Sequence, residues 1–167
     1  MKLRYLFVLL IPLLICGCSK KEEVKTIPEY ESDIKCVKSG EVYDLEDGTP
    51  EEFISNIYVY LDDNKNVRSA IFQNISKSTV LDKATIELTN QFLSIYKDID
   101  GIEATSDVVD DSLIITIKYN YLEMDLNNTK KRLGSIIDDN NILKNTKKLP
   151  FSYDEFKKYT LINYECK

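Results

Sequence analysis

Cys36 and Cys166 stand 130 residues apart, near opposite ends of the stretch that carries enough apolar residues to fold. If they pair, the end of the domain must return to lie beside its beginning. The chain-entropy model gives a bridge across so long a loop about 5 kcal/mol, as an upper figure. Structural disulfides persist in oxidising compartments, so the pairing turns on where the chain resides. The other two cysteines, Cys16 and Cys18, bear on that question because they close the apolar N-terminal run.

That run has the order of an export signal: Lys2 and Arg4, then the apolar residues Leu6 to Ile15, then small residues before a charged stretch. The run contains Pro12 and falls short of the roughly 18 apolar residues of a spanning helix. Ile15-Cys16-Gly17-Cys18 resembles the bacterial lipobox, with an aliphatic residue three before the modified cysteine and a small one directly before it. By that resemblance residues 1–17 are a lipoprotein signal peptide, and Cys18 becomes the lipid-bearing N-terminus. The alternative is an ordinary cleaved signal with two incidental cysteines. Two acyl chains would hold the protein to the extracytoplasmic face of the bacterial membrane, each buried methylene adding about 0.8 kcal/mol.

With Cys16 removed and Cys18 acylated, Cys36 and Cys166 are the thiols left over. In an exported chain they most simply form a disulfide, the alternative being two separate buried thiols. Loss of Lys2 and Arg4 from 22 basic residues leaves 20 against 28 acids, a net charge of −8. An acidic surface argues against nucleic acid and against a polybasic grip on anionic lipid, so the expected membrane contact is the lipid anchor.

Residues 18–31 are charged, carry Pro28 and read as a flexible tether, which over thirteen extended residues reaches about 45 Å. Residues 32–167 read as a single α+β domain. A short strand surrounds Cys36, and a turn-rich segment follows with Gly40, Gly48 and Pro50. Residues 56–61 and 67–75 form a hairpin about Asp62-Asp63-Asn64-Lys65-Asn66, with Ile57, Val59 and Leu61 on one face and Tyr58 and Tyr60 on the other. Leu81, Ala84, Leu88, Phe92, Ile95 and Ile99 make a helical stripe capped at Thr79 and ended by Gly101. A second hairpin spans 102–109 and 113–122, with Leu113, Ile115, Ile117, Tyr119 and Tyr121 on one face and Thr116, Lys118 and Asn120 on a wet one. Residues 125–149 are polar and suit a short helix or a loop. Ser152 with Glu155 forms a capping box, and Phe151 with Phe156 a hydrophobic staple, for a helix near 153–161. The expectation is an antiparallel sheet of about five strands in two hairpins, one long helix packed on a face, and a short C-terminal helix.

Most chemistries lack their residues. The chain has no histidine, which removes Ser-His triads and histidine metal sites. Ser32 with Lys35, and Ser94 with Lys97, match S-x-x-K without the companion motifs of serine-lysine enzymes. Asp62, Asn64 and Asn66 open like a calcium loop, but Val67 and Gln73 stand where the glycine and the bidentate glutamate belong. Asp110-Asp111 and Asp138-Asp139 read as turns, and Lys130-Lys131-Arg132 as a solvated face. No catalytic residue, metal site or cofactor is expected. An exposed subset of the eleven tyrosines could form a binding surface.

The lipobox cysteine, the charged tether, Cys36 in a first strand and the strand-turn-strand of 56–75 together resemble the YehR-like family of small bacterial lipoproteins. So do Tyr96-Lys97-Asp98-Ile99-Asp100-Gly101-Ile102, the hairpin after it, and the C-terminal helix leading to Tyr164-Glu165-Cys166. The polar insert near 125–149 is longer than in that family. The resemblance implies an α+β domain at the cell envelope and no particular mechanism. The functional expectation is a non-enzymatic binding or interaction domain for a protein or small molecule. The alternatives are a structural or envelope-stress component acting through protein partners, and a hydrolase using acids alone.

Overall fold

A computed structural model describes residues 25–43, 50–77, 81–134, 136–137 and 141–167. Cys18 and the signal segment, the Thr79 cap, Gly48 and the Asp138-Asp139 pair fall outside these residues. The described elements are β1 (Ile34–Tyr43), β2 (Pro50–Leu61), β3 (Asn66–Lys77), α1 (Lys83–Leu93), β4 (Ile102–Val109) and β5 (Ser112–Asn120). After them come α2 (Leu126–Leu133), α3 (Ile142–Asn145), β6 (Phe151–Ser152), α4 (Tyr153–Thr160) and β7 (Glu165–Cys166).

The class is α+β, but the sheet is larger than expected. Seven strands form one antiparallel sheet in the order β4-β5-β3-β2-β1-β7, with β6 against the first residues of β3. The extra strand length comes from the segment read as turn-rich: β1 continues through Gly40, and β2 begins at Pro50. Gly40 lies opposite Phe53, whose ring would stand 2.9 Å from a Cβ at that position. The glycine therefore serves a cross-strand contact and not a turn.

Both tight turns use the residue chemistry seen in the sequence. Asp62 Oδ1 accepts from the Asn64 and Asn66 amides at 2.9 and 2.8 Å, and Lys65 takes φ 60°. Asp110 takes φ 54° between β4 and β5. Both are left-handed; Asp110 is of a type that adopts this conformation readily, and Lys65 is held in it within the turn that Asp62 ties together.

The first sheet face carries the main core. Cys36, Ile57, Val59, Phe72, Ile117 and Tyr119 lie on it, covered by the C-terminal half of the chain. Phe151 and Phe156 stack there with ring centroids 5.8 Å apart, and Tyr121 tilts against Phe151 at 4.6 Å. The Ser152 hydroxyl accepts from the Glu155 amide at 3.2 Å, so the expected cap starts α4. The polar insert is structured by Asn and Asp caps: Asp125 opens α2 and Asn141 opens α3. Its basic run is not merely a solvated face. Arg132 donates to the Lys97 and Asp98 carbonyls at 2.8 and 2.7 Å, and Lys130 donates to the Thr146 carbonyl at 2.6 Å.

The long helix is corrected in length and place. α1 spans Lys83–Leu93 and is followed by a 3₁₀ turn over Ser94–Tyr96. Asp82 caps it, accepting from the Thr85 amide at 2.8 Å. It packs along β4 at the sheet edge, not across a face. The tighter 3₁₀ turn, with three residues per turn, shifts the phase of the stripe. Leu93, Tyr96 and Ile99 are buried, while Leu88 is 66% and Phe92 50% exposed.

The ends of the domain meet as the cysteines require. Cys36 and Cys166 are register partners in β1 and β7 and are joined by a disulfide. Lys35 and Lys167 exchange backbone hydrogen bonds beside it at 3.0 and 2.9 Å. Non-reducing peptide mass spectrometry should recover the 36–166 linkage. Replacing both cysteines with alanine should lower the urea midpoint, with a loss of up to about 5 kcal/mol. Free alkylation of both thiols without reductant would refute the pairing.

Candidate functional site

On the second sheet face Thr116, Lys118 and Asn120 are expected to be wet, and of these Thr116 is buried. Asn56, Gln73 and Thr116 are register neighbours across β2, β3 and β5, and all three are buried. Buried amides need partners. Asn56 Nδ2 donates to Gln73 Oε1 at 2.9 Å, and Gln73 Nε2 donates to the Pro28 carbonyl at 2.8 Å. The chain from Lys25 to Asp33 therefore lies across this face as a strap.

Other contacts hold the strap at β2, β1 and β4. At β2, Tyr30 packs edge-on against Tyr58, ring centroids 5.2 Å apart. At β1, Glu29 Oε1 meets Lys35 Nζ at 2.7 Å, and that ammonium sits 5.4 Å from the Tyr58 ring centre. At β4, Lys25 Nζ meets Asp107 Oδ1 at 2.7 Å. Asp33 finishes the strap, its carboxylate accepting from the Leu61 amide at 2.7 Å. Burial pushes the Tyr58 phenol up, with the Lys35 ammonium opposing. The hydrogen bonds from Lys35 and Lys25 hold Glu29 and Asp107 below their ordinary values.

Tyr58 is 1% exposed beneath the strap and contributes to no exposed tyrosine surface. Tyr119 and Tyr121 belong to the opposite face, where burial pushes both phenols up. Tyr60 is the tyrosine of this face that borders an opening. There the sheet is left uncovered, and a cleft of about 620 Å³ opens among Tyr60, Arg68, Glu103, Lys118, Leu122 and Glu123. The volume is within the usual range for a small-ligand site. Arg68 and Lys118 supply positive charge, Glu103 and Glu123 negative charge, and Tyr60 and Leu122 apolar surface. Glu103 and Lys118 are 3.7 Å apart and well exposed, so their attraction is worth little and either can turn to a ligand. A β-bulge at Tyr60 and Leu61 and the turn at Gly101, φ 76°, shape this end of the sheet. Nothing in the sequence reading pointed to it, because Arg68, Glu103 and Glu123 come from three separate segments.

The residues singled out for other chemistries are engaged elsewhere. Ser32 Oγ donates to the Ile34 carbonyl, while Lys35 is held by Glu29, so this S-x-x-K pair shares no hydrogen bond. Ser94 Oγ donates to the Gln91 carbonyl. The Asp62 carboxylate is taken up by its own turn, and the Asn66 hydrogen bonds lower its pKa. Among the described residues no three His, Cys, Asp or Glu gather as a metal set.

The strap should respond to mutation and to acid. Gln73→Leu leaves the Pro28 carbonyl and the Asn56 amide without their partner. It should cost about 1–3 kcal/mol in urea unfolding and speed amide exchange at Tyr30 to Asp33. Unchanged exchange there would refute the pinning role. Glu29 and Asp107 are both lowered on folding, so their contribution is full above the ordinary values of 4.5 and 3.8. It is lost as pH falls through the lower folded values. Strap protection measured by exchange should therefore fall below about pH 4 before the core opens. Compared with family models, curated proteins and solved structures, the chain finds no match in any of the three.

Proposed function

We propose that the protein is an exported, lipid-anchored member of the YehR-like group, attached through Cys18, whose domain binds a small charged ligand and catalyses nothing. The cleft carries this reading. It gathers two cations, two anions and an apolar wall on a disulfide-closed sheet, and its lining includes no cysteine, and no histidine is available. Opposite charges set beside an apolar wall suit recognition of a small ligand. Alternating charge suits a zwitterion, such as an amino acid or a short peptide, whose carboxylate meets Arg68 and whose ammonium meets Glu123 or Glu103. The disulfide supports the location, since such bonds persist outside the cytoplasm.

The two parts are tested separately. Cys18→Ser should abolish acyl labelling and release the domain from the membrane, or leave the signal uncleaved. Labelling that persists through Cys16 would reassign the cleavage. For the cleft, thermal shift of the wild-type domain against amino acids and short peptides should find a stabilising zwitterion. Arg68→Ala with Glu123→Ala should remove that shift and leave the unliganded melting temperature nearly unchanged. A panel that stabilises neither protein, or both equally, would overturn the cleft as the site.

A further inference from the structure

The strap has a direction. Read from Tyr30 back to Lys25, it passes from β2, at Tyr58, over β3, at Gln73, to the outer strand β4, at Asp107. The sheet order makes this three strand spacings, about 14 Å. The register puts Tyr58 level with Glu103 on β4, and Asp107 lies four residues further along that strand, so the strap runs diagonally across the strands toward the β4–β5 turn. The chain therefore meets the domain at the β4 edge.

The same edge carries α1. Ser106, next to Asp107 but pointing to the opposite face of the sheet from the strap, donates from its hydroxyl to Asn90 Oδ1 at 2.8 Å. Asn90 thus faces β4. Leu88 and Phe92, each two residues away and about 200° around the helix, face outward. They are 66% and 50% exposed. The charges on the helix itself are Lys83 and Glu87, paired at 3.5 Å. In an acidic chain this is a nearly neutral, apolar outer face.

We propose that this face of α1 rests on the lipid surface. The proposal depends on Cys18 being the lipid-bearing residue. Residues 18–24 then separate the anchor from Lys25, and seven residues reach at most about 25 Å. The leash is therefore much shorter than the sequence suggested, and it leaves from the strand beside α1. The anchor holds the β4 edge near the bilayer, with Leu88 and Phe92 positioned to enter the headgroup boundary, where Leu and Phe are favoured. The β7 edge, at the other side of the sheet, points away.

The native chain has no tryptophan, so a single introduced one reports its own surroundings. The lipidated full-length protein is placed in vesicles of brominated phosphatidylcholine, carrying Phe92→Trp, Leu88→Trp or Ile162→Trp. Ile162 is 58% exposed and lies close in sequence to β7. Emission from positions 92 and 88 should be quenched and blue-shifted, and emission from 162 should be unaffected. Protein that floats with the vesicles but shows no quenching at 88 or 92 overturns the docking and leaves the anchor standing. Equal quenching at all three positions overturns the orientation. Protein that fails to float refutes the anchor and the docking with it. Efficient Leu88→Cys disulfide dimers on the vesicles would assign the face to a second copy instead.

Discussion

The backbone of β3 hydrogen-bonds along both edges, to β2 on one side and to β5 and β6 on the other. The two hairpins are joined in one sheet through it. Its side chains alternate between two very different surroundings as a consequence. Ala70 and Phe72 point into the aromatic core closed by the C-terminal helix, and Ile71 and Gln73 point beneath the strap. A strand paired on both edges and covered on both faces has little freedom to slip in register, because a shift of one residue would exchange those surroundings.

Gln73 shows how the second face is organised. A buried primary amide is costly without partners, and here both ends of it are used, by Asn56 and by the Pro28 carbonyl. A polar residue in the middle of a strand thus selects one placement for an otherwise irregular segment. The strap covers Tyr58, fixes where the N-terminal segment enters the domain, and stops short of the cleft at Arg68 and Lys118. Organisation of the face, the entry of the N-terminal segment and the candidate binding surface share this one contact.

Much of the fold was legible because it rests on local chemistry. The turns at Asp62 to Asn66 and at Asp110, the start of α4 at Ser152, and the inward row through Ile115, Ile117 and Tyr119 follow from side chains acting on nearby backbone or from period-two alternation. The helix was misplaced because its apolar stripe states that a face exists, not what covers it. Leu88 and Phe92 fit the period and remain exposed, since the crossover from β3 to β4 carries α1 along the sheet edge. Residues 25–31, part of the stretch that reads as a tether, bury little of their own surface and are held by hydrogen bonds to residues far away in sequence.

The sequence by itself determined the α+β class, the turn positions, the C-terminal cap and the cysteines available for a bridge. These depend on residue identity and on spacings of a few positions. The tertiary structure decided the strand order, the strap, the position of α1 and the cleft. Each of these joins residues separated by tens of positions, and loop closure puts no readable pattern into the intervening chain. The disulfide belongs to both. Chemistry made Cys36 and Cys166 the candidates, and the antiparallel pairing of β1 with β7 brought their backbones close enough to join.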